Sequence, residues 1–251
     1  SMETDKEFHR PVLLYQERDD RMNNYVITIA RGFGSGGKSL GMRLADELGI
    51  SCYENRILSL ASKITGKDTA ELIEVDEKLR KGSWNSLIRK FAGRSESNEP
   101  TAILKKFESD EEIFEAQCEI IRNLARTESC IIVGKCADFV LKDFDNVISL
   151  YVEAPRAYCL KRITKRMNVD EEEAASLIEK TDKYRAEYYK YYTHGNYWTN
   201  PVNYDMTFNM DRIGEDRAVE LIKDYIEMKF GHQPDKTTGK RNLYTFASEM
   251  E

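Results

Sequence analysis

Residues 32–39 read Gly-Phe-Gly-Ser-Gly-Gly-Lys-Ser, and this octet constrains the fold more than any other stretch of the chain. It satisfies G-x-x-x-x-G-K-[ST] at every fixed position. Before it runs Tyr25-Val26-Ile27-Thr28-Ile29-Ala30, an apolar, β-branched segment expected as a buried strand. After it, Leu40, Leu44, Ala45 and Leu48 share one face of an expected helix. Strand, glycine loop and helix are the context in which this pattern cradles phosphate. The glycines let the backbone curl until its N–H groups point inward. The helix N-terminus adds partial positive charge. Gly34, Ser35, Gly36, Gly37, Lys38, Ser39 and Leu40 are then expected around nucleotide phosphates. Lys38 reaches the β- and γ-phosphates, and Ser39 supplies a hydroxyl ligand to Mg²⁺.

A rival reading shares these residues. Gly32, Gly34 and Gly37 also spell G-x-G-x-x-G, and Glu54 lies at a distance suited to a ribose. Lys38-Ser39 decides for the phosphate loop, because a dinucleotide site has no use for a lysine and a hydroxyl directly after the last glycine.

Bulk properties narrow the class. The 251 residues are 41% hydrophobic and 33% charged, with net charge -6. That suits one α/β domain, or a core with an inserted lobe. It argues against a general binder of nucleic acid or anionic membrane. No apolar run approaches the roughly 18 residues of a membrane span. Cys52, Cys118, Cys130, Cys136 and Cys159 are odd in number and scattered, which suits free thiols in a reducing cytoplasm. His9, His194 and His232 are far apart, and neither a zinc site nor a Ser-His-Asp triad is supported.

Further elements follow from periodicity and caps. Residues 1–23 form a polar lead-in. Gly49 stands where a helix C-cap glycine would. Ile50-Ser51-Cys52-Tyr53 reads as a short strand, and Ile57, Ala61 and Ile64 mark a helix stopped by Gly66. Asp68 and Glu71 have capping-box spacing before Leu72, Val75 and Leu79. Residues 93–100 read as a polar loop. Ile113, Phe114, Ile120, Ile121 and Leu124 make an amphipathic helix. Cys130–Gly134, Val147–Val152 and Met206–Phe208 read as strands. Asp170 and Glu173 cap a long helix toward Tyr191, and Glu215 to Phe230 closes the domain. Helices between apolar strands predict a parallel sheet covered on both faces. Residues 231–251 read as a polar tail.

Phosphoryl transfer needs cations on the moving group and a fixed line of attack. Lys161/Lys165 and Arg162/Arg166 stack at i, i+4 on a helix after Pro155. They form either a lid over phosphates or a solvated face offset by Glu171, Glu172 and Glu173. Asp182 and Arg185 are either an intrahelical ion pair or nucleotide ligands. Lys135 and Asp138 follow a buried strand at its C-terminal end, where open parallel sheets bind ligands. Tyr184, Tyr188 and Tyr191 fall at helical spacing and are expected to pack, whereas Trp198 is a candidate to cover a nucleobase. Tyr53-Glu54 and Asp76-Glu77 lie where a second substrate could enter, or are plain surface.

Residues 27–39, Ile132–Asp138 and Asp182–Tyr189 together resemble the cytidylate kinase-like family of P-loop proteins. The likeness runs from about Tyr25 to Phe230. It implies a P-loop NTPase-type three-layer α/β sandwich, with a five-stranded parallel sheet, in one domain at 24–230. Within that domain, about 50–108 would be a substrate-binding lobe and about 156–196 a lid. It implies transfer of phosphate from ATP, with Mg²⁺, to CMP or dCMP. Lys38, Arg162, Arg166 and Arg185 would be the catalytic cations, and Lys135, Asp138, Asp182, Arg185 and Glu54 would hold the acceptor. The implied partner is a small-molecule nucleotide, in a cytoplasmic protein free to form a homo-oligomer. Three positions depart from the family pattern. Lys135 replaces an arginine, Cys136 an aspartate, and Cys159 an arginine entering the lid. Two other functions stay open: a kinase for another small phosphate acceptor, and a non-catalytic nucleotide sensor.

Overall fold

The apolar runs become the centre of a three-layer α/β sandwich. The computed structural model describes residues 24–66 and 110–231. The expected helix after Asp68, the loop at 93–100, the lead-in and most of the polar tail lie outside them. Five parallel strands stand in the order β2-β3-β1-β4-β5. They are β1 (Val26–Arg31), β2 (Ser51–Tyr53), β3 (Cys130–Val133), β4 (Val147–Glu153) and β5 (Met206–Asn209). The helices are α1 (Gly37–Leu48), α2 (Asn55–Thr65), α3 (Glu111–Thr127), α4 (Ala137–Val140), α5 (Arg156–Met167), α6 (Glu171–Tyr192), α7 (Met210–Ile213) and α8 (Glu215–Phe230).

Parallel strands are buried on both faces, so their sequences are continuous rather than alternating. On one face Ile27, Ile29, Ile131, Val133, Ile148 and Leu150 pack against Leu40 and Leu44 of α1 and Ile222 and Ile226 of α8. On the other, Val26, Cys130, Ile132 and Val147 pack against Ile57 of α2 and Ile121 and Leu124 of α3. Register aligns the two sets: Ile27 lies opposite Ile131 on one side and Ile148 on the other.

Caps account for the element ends. Gly49 and Gly66 both take left-handed φ at helix C-termini, a conformation that costs glycine little. Asp170 accepts the N–H of Glu173 at 2.8 Å, as its spacing predicts. The short helices α4 and α7 have no signal in the apolar pattern. α7 follows directly on β5 and α4 follows β3 after a three-residue turn, and each is too brief to show a period.

Leu44 is fully buried and Met42, on the same helix, is 53% exposed. Leu44→Ala should cost about 3 kcal/mol through lost transfer energy and a cavity. Met42→Ala should cost about 0.5 kcal/mol or less. Urea unfolding of the two variants checks this.

Candidate active site

The glycine octet forms the turn from β1 into α1. Gly34 and Gly36 have φ of 88° and 100°, and Gly36 is the left-handed N-cap of α1. The first intrahelical bond runs from Leu40 N–H to the Gly36 carbonyl at 3.0 Å. The N–H groups of Gly36, Gly37, Lys38 and Ser39 therefore precede the helical ladder and lack intrahelical acceptors. These four form the anion-binding end. Leu40 differs from the other expected loop residues, since its N–H is engaged in the helix and its side chain lies in the core.

Helices α5 and α6 clamp this loop from outside. Phe33 N–H donates to Asp182 Oδ1 at 2.8 Å. The Phe33 ring is buried, with the Arg166 and Arg185 guanidinium carbons 5.6 and 5.5 Å from its centroid. Such cation–ring contacts hold the guanidinium planes without consuming their charge. Arg185 also donates to the Arg31 carbonyl at 3.2 Å and lies 3.7 Å from Asp182. The ion-pair reading of Asp182 and Arg185 holds within α6, and both also grip the loop backbone, a contact that neither expectation named. Burial pushes the Asp182 carboxyl up, opposed by Arg185 and the Phe33 N–H.

Of the four clustered cations, Arg162 reaches Ser39 and Arg166 lies over the Phe33 ring; Arg162 is half-buried, and Arg166, Lys161 and Lys165 are exposed. Arg162 donates to Ser39 Oγ at 3.3 Å, and Ser39 Oγ donates to Glu215 Oε2 at 2.9 Å. Lys38 pairs with Glu54, whose other oxygen lies 3.4 Å from Arg31. Cys159 is buried beneath Gly34 among Phe33, Ile163 and Leu177, so position 159 is packing rather than a phosphate ligand. Glu153, at the end of β4, accepts the Tyr151 hydroxyl at 2.7 Å and lies where a side chain on Gly32 would go.

A second region adjoins the first. Gly134, Lys135 and Cys136 after β3 all have positive φ, at 76°, 60° and 53°. Ala137 N–H closes the turn on the Gly134 carbonyl at 3.1 Å. Positive φ at both central residues makes this a type I′ turn built without Asn or Gly there. Lys135 and Cys136 line a cavity with Arg31, Asp138, Gln117, Arg185 and Trp198, walled by Tyr184, Tyr188 and Tyr189. Asp138 is buried and accepts the Tyr189 hydroxyl at 2.6 Å. Burial pushes its carboxyl up, and the Tyr189 bond only partly offsets this. Desolvation also raises every thiol: Cys52, Cys118 and Cys159 to about 11, Cys130 and Cys136 further. None of the five is a poised nucleophile.

Arg31 and Gln117 escaped sequence reasoning. Arg31 ends β1, the position where parallel sheets present ligands. Gln117 interrupts the apolar face of α3 between Ile113 and Ile120, a polar residue at a core position. Glu215 carried no signal, since an acid in the first turn of a helix is ordinary. Among the described residues no helix is long and apolar enough to cross a membrane.

The cytidylate kinase-like family matches residues 26–212. The structure of an uncharacterized protein from Eubacterium ventriosum aligns at 26% identity over 81% of this chain and 99% of that one, with TM-score 0.58. Shikimate kinases from Bacteroides thetaiotaomicron and Acinetobacter baumannii align at 14% identity, over 81% and 82% of this chain and 98% and 95% of theirs, with TM-scores of 0.44 and 0.41. No curated protein matches the chain.

Because the Asp138 carboxyl titrates above its ordinary 3.8 in the fold, the native state binds that proton more readily than the unfolded chain. Its contribution to stability is complete below 3.8 and is lost as pH rises through the raised value. Asp138→Asn carries no such charge. The variant should therefore gain stability relative to the parent as pH goes from about 4 to about 7. Denaturant unfolding of both proteins across that range measures the difference.

Proposed function

The chain belongs to the cytidylate kinase-like family, and on that premise we propose that it transfers a phosphoryl group from ATP to a nucleoside monophosphate, CMP or dCMP first. One observation carries the proposal. Arg31 and Arg185 line the tyrosine-walled cavity, and both also touch the phosphate loop, Arg31 with its Cβ against Gly37 and Arg185 over the Phe33 ring. A donor phosphate on the loop and an acceptor phosphate at the mouth of the cavity would share these cations.

The N–H groups at the start of α1 and Lys38 bind the β- and γ-phosphates of ATP. Glu54 holds Lys38 until phosphate takes its place. The Ser39 hydroxyl and its partner carboxylate Glu215 are hard oxygen donors that suit Mg²⁺. Among the described residues no group of three His, Cys, Asp or Glu side chains could hold a metal ion. Ser39 with Glu215 would hold Mg²⁺, whose charge offsets that of the phosphate oxygens. Lys135, Arg31 and Arg185 orient the acceptor, and Asp182 fixes Arg185 and the loop together. An acceptor phosphate oxygen attacks the γ-phosphorus as the bond to the β–γ bridging oxygen breaks. No general base is required, because the acceptor oxygen is already anionic. Arg162 and Arg166 on α5 stabilise the charge on the group in flight. On this reading the protein works on small-molecule nucleotides, and a cytoplasmic location is part of the proposal.

Transfer from ATP–Mg²⁺ to CMP, dCMP, UMP, AMP and GMP tests the proposal. Turnover on CMP or dCMP is expected, with Lys38→Ala lowering kcat by about 10³-fold or more. ATP binding without transfer to any of the five would overturn it. The site would then serve another phosphate acceptor, or act as a nucleotide sensor.

A further inference from the structure

One polar atom in the acceptor cavity is not accounted for by the chemistry above. Gln117 is 2% exposed in the middle of α3. It hydrogen-bonds the Tyr188 hydroxyl, yet its carbonyl oxygen Oε1 is buried with no partner. A buried acceptor left unmet is costly, and native folds rarely tolerate one without cause. Core neighbours on the same helix face, Ile113, Ile120 and Ile121, show that an apolar residue fits this layer. Gln117 also lines the cavity. The surrounding wall is aromatic, with Tyr184, Tyr188, Tyr189 and Trp198, while its cations Arg31, Lys135 and Arg185 suit a phosphate. The cavity measures about 110 Å³, of the order of the ~150 Å³ that admits one benzene ring in an engineered core.

We propose that Gln117 selects the acceptor base, its Oε1 accepting a hydrogen bond from an exocyclic amino group on a single-ring base stacked among the tyrosines. This rests on the reading of the protein as a pyrimidine nucleotide kinase and specifies it. The amino base of CMP satisfies the orphaned oxygen. The keto base of UMP sets a second acceptor against it. Oε1 is shielded from water in this state, so a base that reaches it must displace neighbouring side chains. A buried polar group discriminates most strongly against ligands that leave it unmatched. Gln117 thus takes over base reading in a chain whose Cys136 offers only a buried thiol at the turn.

Calorimetric binding of CMP, UMP and the CMP analogue bearing hydrogen in place of the 4-amino group tests this, on the parent and on Gln117→Met. The parent is expected to bind CMP at least tenfold more tightly than either of the others. Gln117→Met should bring all three within about threefold of one another, with affinity for UMP nearly unchanged. The substitution removes the unmet Oε1 but also the hydrogen bond to the Tyr188 hydroxyl, so its thermal midpoint should stay within a few degrees of the parent's and serves to show that the variant is folded. Equal weakening of CMP and UMP by the substitution would overturn the role of Gln117 and leave the kinase reading standing. So would an analogue that binds the parent as well as CMP does, a comparison that needs no variant to fold. Failure of the parent to bind any of the three would overturn both.

Discussion

The hydrogen bond from Phe33 N–H to Asp182 Oδ1 joins residues 149 apart in sequence, and the site is organised around it. Without an outside anchor the loop from β1 to α1 is a glycine-rich turn free to take many shapes. Asp182 fixes it to the middle of α6. The same helix carries Arg185 against the loop and Tyr184, Tyr188 and Tyr189 into the cavity. One rigid element therefore sets the spacing between the loop and the cavity, which is what the proposed in-line transfer would require.

The charges of the site are already paired. Lys38 rests on Glu54, Arg162 on Ser39, Arg185 on Asp182, and Arg166 over the Phe33 ring. Packing cations together costs energy unless something anionic or polarisable attends each one. These contacts hold the guanidinium and ammonium groups in place, so in the proposed transfer an arriving phosphate would exchange partners rather than order loose side chains. That is electrostatic preorganisation. Cys159 fits the same economy, because a cation at that position would lie in the apolar layer under the loop.

Much of this was legible from local patterns. The phosphate loop, the five strands, the capped start of α6 at Asp170 and the extent of α8 all follow from residues close in sequence. Arg31, Gln117 and Glu215 were not, because their meaning comes from partners far along the chain: Glu54, Tyr188 and Ser39. Tyr184 and Tyr188 were expected to pack, and they do, but their packing builds the wall of a cavity. Periodicity reports which face of a helix is buried and says nothing about what it is buried against. The Asp182–Arg185 pair shows the same limit, since spacing along one helix could not reveal the loop laid across it.

The left-handed turn at Gly134-Lys135-Cys136 has a consequence for the timing of order. Non-glycine residues in that conformation cost of order 1–3 kcal/mol each, and the cost falls when the chain folds. Lys135 thereby arrives at the cavity with its backbone direction fixed. A lysine on a supple loop would surrender that freedom afresh with every ligand it met, weakening each encounter. Here the penalty is levied once in the lifetime of the molecule, and each later binding event is free of it.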